Sequence, residues 1–137
     1  MSLTHTPAVI PMIPTVLLVD SDASYRATLS GRIADNGCRV LTAADGARAL
    51  DVFRTEDVDL LVTDEHLPVM SALDLLTVTR IAWPETSRVL LTDEITIAPP
   101  DDDDVDGLFE KSSSTDSLAT TLAGLAAGRR PATRSVA

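Results

Sequence analysis

The sequence contains little cysteine and few aromatic residues. Its 137 residues include one cysteine, Cys38, together with one tryptophan, one tyrosine and two phenylalanines. A lone cysteine excludes an internal disulfide bond and is typical of a reducing cytoplasm. Hydrophobic residues still make up 45% of the chain, so the core has to consist of Leu, Val, Ile and Ala. Such a core favours a buried parallel sheet covered by helices over an aromatic-rich β-sandwich.

Basic residues are also scarce. The chain has 11 Lys and Arg against 21 Asp and Glu, and its formal net charge is −10. Because a protein needs Lys and Arg to neutralise DNA phosphates, this composition argues against direct nucleic-acid binding. No apolar run reaches the ~18 residues of a membrane span, and no charged segment followed by an apolar one begins the chain. We therefore expect a soluble cytoplasmic protein of one domain, with no membrane partner.

Short apolar runs alternate with helical patterns over residues 15–127. The prolines of residues 1–14 interrupt any periodicity, so we expect a flexible leader there and a flexible tail at residues 128–137. Between these segments, five runs predict strands: Thr15–Val19, Arg39–Ala43, Leu60–Thr63, Arg88–Leu91 and Leu108–Glu110. Strands that alternate with helices predict an α/β, doubly wound parallel sheet. Any ligand site should lie at the carboxyl ends of its strands.

One segment departs from this alternation. Between the fourth and fifth predicted strands the chain carries the apolar stretch Ile95–Ala98, then Pro99 and Pro100, and then the aspartate run Asp101–Asp104. Paired prolines and a block of like charge both oppose a helix. We predict that the fourth helix is short or degraded and that the aspartate run is a solvated loop.

Polar side chains with useful chemistry follow four of the predicted strands. They are Asp20 (with Ser21 and Asp22), Asp64, Thr92 and Lys111. Parallel strands bring their carboxyl ends to one edge of the sheet, so we expect these side chains to converge. Clustered carboxylates favour a hard cation such as Mg2+, and a carboxylate beside that cation can attack phosphorus. A lysine and a hydroxyl would stabilise the charge on the phosphoryl oxygens. A single aspartate after a strand is more often a cap or turn residue, so the convergence carries the inference.

The motifs around these residues resemble those of response-regulator receiver domains. The resemblance covers about residues 15–126 and is carried by Val16–Asp20, Leu41–Leu50, Asp59–Asp64, Leu67-Pro68, Val89–Thr92 and Phe109–Lys111. It implies a flavodoxin-like fold of five parallel strands in the order 2-1-3-4-5, and Mg2+-dependent phosphotransfer from a histidine kinase or a phosphotransfer protein. The chain would then be a phosphoacceptor signalling domain, not an enzyme, and would act on a downstream effector or output domain.

The resemblance also implies roles for particular residues. Asp64 would be the phosphoacceptor, Thr92 the switch hydroxyl and Lys111 the lysine that contacts the phosphoryl group. Asp20, Asp64 and the backbone carbonyl of His66 would be ligands of Mg2+.

Two residues depart from the family pattern at this site. Ser21 stands where the family usually has a second acid, so we expect weaker Mg2+ binding, with Ser21 or Asp22 as the candidate further ligand. The other interpretation of Asp22 is a helix cap. The residue after Thr92 is usually small, but here it is Asp93, whose carboxylate would crowd the pocket and repel phosphate.

These departures leave more than one function open. The first is a phosphorylatable receiver. The second is a pseudo-receiver that keeps the fold and acts as a protein-interaction module without phosphorylation. The third is an unrelated Mg2+ phosphohydrolase of similar fold, with His66 as a general acid two residues after the nucleophile.

Overall fold

The computed structural model describes residues 8–94, 105–129 and 133–136. In chain order, the elements of this part are β1 Ala8–Pro11, β2 Thr15–Val19, α1 Ala23–Asp35, β3 Arg39–Ala43, α2 Gly46–Thr55, β4 Leu60–Asp64, α3 Ala72–Ala82, β5 Ser87–Thr92, β6 Gly107–Glu110, α4 Thr115–Arg129 and β7 Thr133–Val136. No helix within these ranges is long and apolar enough to cross a membrane.

Five of the strands form a parallel sheet in the order β3-β2-β4-β5-β6. Counted within this sheet, the order is 2-1-3-4-5, so the predicted topology is confirmed. Every residue of β2 and β4 is buried, which explains why the sequences of these strands are mostly apolar and do not alternate with polar residues. The chain leaves β2 toward β3 on one side and later returns to form β4 on the other. This reversal opens a crevice at the carboxyl ends of β2 and β4.

Helices cover both faces of the sheet. On one face, Leu29 and Ile33 of α1 and Leu122 of α4 are fully buried in one apolar cluster. On the other face, α2 and α3 contribute Phe53 and Leu75 to a second cluster. The central strands of the sheet are therefore buried on both sides, and the strand ends are the edge left for a polar site.

The helix that follows β2 begins at a polar cap. The Asp22 carboxylate accepts hydrogen bonds from the N–H groups of Ser24 and Tyr25, at 3.0 and 3.2 Å. These bonds satisfy N–H groups that have no partner within the helix. The cap fixes where α1 begins, and therefore where the loop carrying Asp20 and Ser21 ends.

The two ends of the described chain contain structure that the sequence did not predict. Strand β1 pairs antiparallel with β7, with Ala8 opposite Val136. Helix α4 continues through Gly128 to Arg129, past the predicted boundary at residue 127, because one glycine costs a helix only about 1 kcal/mol. The flexibility of the leader and tail stays a prediction, and the predicted degradation of the fourth helix falls on residues 95–104, outside the described residues.

Candidate functional site

Four predicted site residues stand at the carboxyl edge of the sheet. Asp64 and Thr92 are the last residues of β4 and β5, while Asp20 and Lys111 directly follow β2 and β6. Backbone hydrogen bonds extend the ladder through them: the Asp20 N–H donates to Ala43 O at 3.1 Å, and the Lys111 N–H donates to Thr92 O at 2.8 Å. These side chains therefore project from backbone that the sheet holds in place.

The Lys111 ammonium joins the two acids. Its Nζ lies 2.7 Å from Asp20 Oδ2 and 3.1 Å from Asp64 Oδ1. The side chains of Asp20 and Asp64 are only 1% and 8% exposed, and that of Lys111 is 15% exposed. The structure thus brings together three charges that lie far apart in the sequence.

The electrostatics of this cluster favour a further cation. Burial raises the pKa of Asp64, and the charge of Asp20 adds to the rise, although the hydrogen bond and charge of Lys111 partly oppose it. Burial alone would lower the pKa of Lys111. The hydrogen bonds and charges of Asp20 and Asp64 outweigh that effect, so the pKa of the ammonium stays above its ordinary value. One cation therefore serves two buried carboxylates.

The oxygens of these carboxylates fit a hard metal ion. Asp20 Oδ2 and Asp64 Oδ1 are buried, and among the described residues the Lys111 ammonium is the contact that compensates them. Asp20 Oδ1 already accepts a hydrogen bond from the Asp22 N–H at 2.8 Å. Mg2+ binds through one or two carboxylates together with water, so this donor set is suitable. Oδ1 of Asp22 accepts both hydrogen bonds of the helix cap and Ser21 is exposed, so a further metal ligand from either residue stays a prediction.

Tyr25 belongs to the site although sequence reasoning missed it. The Lys111 Nζ lies 4.6 Å from the centre of its ring, a cation–π contact. Burial raises the pKa of the Tyr25 hydroxyl; the Lys111 charge lowers it, and Asp20 and Asp64 raise it further. The signal was present in the sequence, because the first turn of the helix after an acid-terminated strand lies beside that acid.

The hydroxyl of Thr92 makes a contact that the sequence did not predict. It donates to Glu65 Oε1 at 2.8 Å, and Glu94 O lies 3.1 Å away as a second acceptor. His66 Nε2 lies 3.2 Å from the same Glu65 oxygen, and 76% of the His66 side chain is exposed. Asp93 completes a polar rim, since ligand atoms of Glu65, His66 and Asp93 all lie within 4.8 Å of one another. The rim therefore carries two carboxylates, and the crowding of the pocket by Asp93, which is exposed, stays a prediction.

The loop between the site and α3 holds one unusual backbone conformation. Val69 has φ 73°, in the left-handed region that β-branched residues rarely adopt, and the residue is 87% exposed. The Met70 N–H donates to Pro68 O at 2.8 Å and closes the turn. The loop after Asp64 is therefore tightly bent and carries local strain.

Comparisons with known proteins agree with this geometry. A family model described as the response regulator receiver domain matches residues 16–122. The chain is 35% identical over 81 residues to the autoinducer 1 sensor kinase/phosphatase LuxN of Vibrio campbellii, a match that covers 59% of this chain and 10% of LuxN. It is 31% identical over 77 residues to the cell cycle transcriptional regulator CtrA of Caulobacter vibrioides, covering 56% of this chain and 33% of CtrA.

The solved structure of the response regulator TrrA from Thermotoga maritima, in complex with Mg(2+)-BeF, superposes with a TM-score of 0.74. The match covers 82% of this chain and 99% of TrrA, at 24% identity. This likeness indicates the fold.

Proposed function

Because the chain belongs to the response-regulator receiver family, we propose that it accepts a phosphoryl group on Asp64 in a Mg2+-dependent reaction. The observation that carries the proposal is the pair of buried carboxylates, Asp20 and Asp64, on neighbouring strands with Lys111 between them. A purely structural ion pair would need one acid for one base. The second buried acid is explained if a metal ion and a phosphoryl group are to be bound beside it.

Each residue of the site has a role in this reaction. An oxygen of Asp64 attacks the phosphorus atom, a new P–O bond forms, and the bond from phosphorus to the donor breaks. The Lys111 ammonium neutralises charge on the phosphoryl oxygens. Mg2+, held by Asp20, Asp64 and the backbone carbonyl of His66, would supply further neutralisation. Because Ser21 offers no carboxylate and Asp22 caps α1, we expect weaker metal binding than two adjacent acids would give.

The proposed partners follow from the family. The similar proteins include a sensor kinase/phosphatase and a transcriptional regulator, which supports a histidine kinase or phosphotransfer protein as donor and an effector or output domain as recipient of the signal. The chain spans only 10% and 33% of these two relatives. The domain itself would act as a phosphoacceptor and not as an enzyme with turnover of a separate substrate.

A pseudo-receiver is the second candidate function. It is favoured by the exposed Ser21 in place of an acid and by the carboxylates of Glu65 and Asp93 at the rim. In this case the chain would bind a protein partner without phosphorylation. The phosphohydrolase alternative has less support, because the His66 imidazole is largely exposed and contacts Glu65.

Phosphorylation by a small donor separates the two candidates. The protein is incubated with phosphoramidate, with and without Mg2+, and its intact mass is measured beside that of Asp64→Asn, which keeps the shape and removes the nucleophile. We expect a gain of one phosphoryl group in the wild type with Mg2+ and none in the variant. No adduct, together with no Mg2+ binding by calorimetry, would favour the pseudo-receiver.

A further inference from the structure

We propose that Glu65 is a positioning residue that holds the switch hydroxyl of Thr92 away from the acceptor until a phosphoryl group displaces it. The inference rests on the proposed function and deepens it, because it names a residue that sets how readily this site switches. It begins from the contact between Thr92 Oγ1 and Glu65 Oε1.

The hydroxyl of Thr92 has one hydrogen to donate and two acceptors in reach. Glu65 Oε1 lies at 2.8 Å and Glu94 O at 3.1 Å. The carboxylate is the nearer of the two, and a bond to an ionised acceptor is about twice as strong as one to a neutral carbonyl. Thr92 is 3% exposed, so water competes poorly for its hydroxyl. The hydrogen is therefore committed to Glu65.

Glu65 is held where it can make this bond. It directly follows Asp64, and its N–H donates to Leu91 O at 2.9 Å, which extends the pairing of β4 with β5 by one residue. His66 Nε2 lies 3.2 Å from the same carboxylate oxygen, and the Glu65 side chain is only 29% exposed. Backbone and side chain are thus both fixed before any phosphoryl group arrives.

A phosphoryl group on Asp64 would act against this bond in two ways. Its oxygens are acceptors for the same Thr92 hydrogen, and it brings a charge of about −1.5 to −2 to the residue that directly precedes Glu65 in the chain. Thr92 therefore has to leave Glu65 before it can contact the phosphoryl group. The bond between Thr92 and Glu65 opposes phosphoryl binding, and its rupture is the switching event.

The affinity for beryllofluoride, a phosphoryl mimic, measures how strongly the hydrogen bond between Thr92 and Glu65 opposes phosphoryl binding. Dissociation constants are determined by calorimetry with saturating Mg2+ for the wild type, Glu65→Ala and Asp93→Ala. Asp93 is the control, because its replacement too removes a carboxylate near the site and its charge acts on Asp64, while no hydrogen bond of its side chain to Thr92 occurs among the described residues. We expect about tenfold tighter binding in Glu65→Ala, as loss of a charge-assisted hydrogen bond gives, and about twofold in Asp93→Ala.

A double-variant cycle isolates the hydrogen bond from the charge. Thr92→Val keeps the shape of the side chain and removes the hydroxyl. In that background, Glu65→Ala should tighten beryllofluoride binding only as much as Asp93→Ala does. An equal gain from Glu65→Ala with and without the hydroxyl would mean that charge alone acts, and would overturn the inference.

A measurement without any phosphoryl mimic keeps this inference separate from the proposed function. The γ-methyl resonance and χ1 couplings of Thr92 are recorded by NMR in the unliganded protein. Glu65→Ala should change the χ1 couplings, and Asp93→Ala should leave those couplings unchanged. If no variant binds beryllofluoride but the Thr92 signals change in this way, the proposed function fails and the Glu65 contact stands. Unchanged Thr92 signals in Glu65→Ala would contradict the contact itself.

Discussion

Replacing Lys111 with Met tests whether the ammonium holds the two buried acids together. Methionine keeps the apolar stem and a favourable contact with the Tyr25 ring, but it removes the charge. The variant leaves Asp20 Oδ2 and Asp64 Oδ1, now 2.7 and 3.1 Å from Lys111 Nζ, without a compensating cation. We expect the fold to be retained and its stability to fall.

The size of the loss follows from the burial of the partners. Removing one member of a buried ion pair costs about 3–5 kcal/mol. The lower end applies here, because the Lys111 side chain is 15% exposed and the Asp64 carboxyl, whose pKa burial raises, can protonate instead. We therefore expect a loss of about 3 kcal/mol, or about 12 °C in Tm for a domain of this size.

The loss of stability in Lys111→Met should depend on pH, and the direction of this dependence can be predicted. In the variant, burial and the charge of Asp20 raise the folded-state pKa of Asp64 without opposition from Lys111. An acid whose pKa is raised by folding binds more protons in the folded state, so it lowers stability above that pKa. The difference in the free energy of unfolding between wild type and variant should be largest near neutral pH. It should shrink as pH falls toward the unfolded-state pKa of aspartate, about 3.9.

Urea denaturation of the wild type and variant over this pH range is the assay. As a control, Asp64→Asn in the Lys111→Met background removes one of the repelling charges and should recover most of the loss. A loss in the free energy of unfolding below about 1 kcal/mol is small for removal of one partner of a buried pair. It would show that the Lys111 ammonium does not hold the two buried acids together. A loss that stays constant as pH falls would refute this role of the ammonium too.

Three further predictions concern other parts of the structure. Asp22→Ala removes the cap of α1 and should lower the free energy of unfolding by about 1 kcal/mol; the loss in urea should be equal with and without Mg2+, and a loss confined to Mg2+ would make Asp22 a metal ligand. Val69→Gly should raise the free energy of unfolding by about 0.5–1 kcal/mol, because it relieves a left-handed conformation at an exposed position; a loss of stability would contradict the strain. The only tyrosine, Tyr25, should titrate above the ordinary pKa of 10.0 in near-ultraviolet absorbance. Its pKa should be higher still in Lys111→Met, since the Lys111 charge lowers it; a lower pKa in the variant would contradict this effect of the Lys111 charge.

The sheet was predictable because its strands are short apolar runs, and its three central strands are buried on both faces. Thr15–Val19 and Arg39–Ala43 are strands with the bounds that their residue patterns predict. The fourth predicted strand begins one residue early, at Ser87, because the Ser87 N–H donates to Asp59 O across the sheet at 3.0 Å. Local pattern carries no information about such a bond. The pairing of Ala8–Pro11 with Thr133–Val136 was missed for the same reason, since each segment alone is short and irregular.

The site was predictable only as far as strand ends determine it. Parallel strands bring the residues that follow them to one edge, which placed Asp20, Asp64 and Lys111 together. The contacts of Glu65 and Tyr25 depend on their side-chain rotamers at that edge, which the order of the strands does not determine. The bond between Thr92 and Glu65 joins residues on two different strand ends, and only the packed structure decides that a carboxylate and not a solvent molecule accepts it.

Locating the modified residue tests directly whether Asp64 is the phosphoacceptor. The protein is treated with phosphoramidate and Mg2+, reduced with borohydride, which converts an aspartyl-phosphate to homoserine, and digested for peptide mass spectrometry. We expect homoserine at residue 64 in the wild type, and none there without Mg2+. Homoserine at Asp20 or another acid, or none at all, would contradict this role of Asp64.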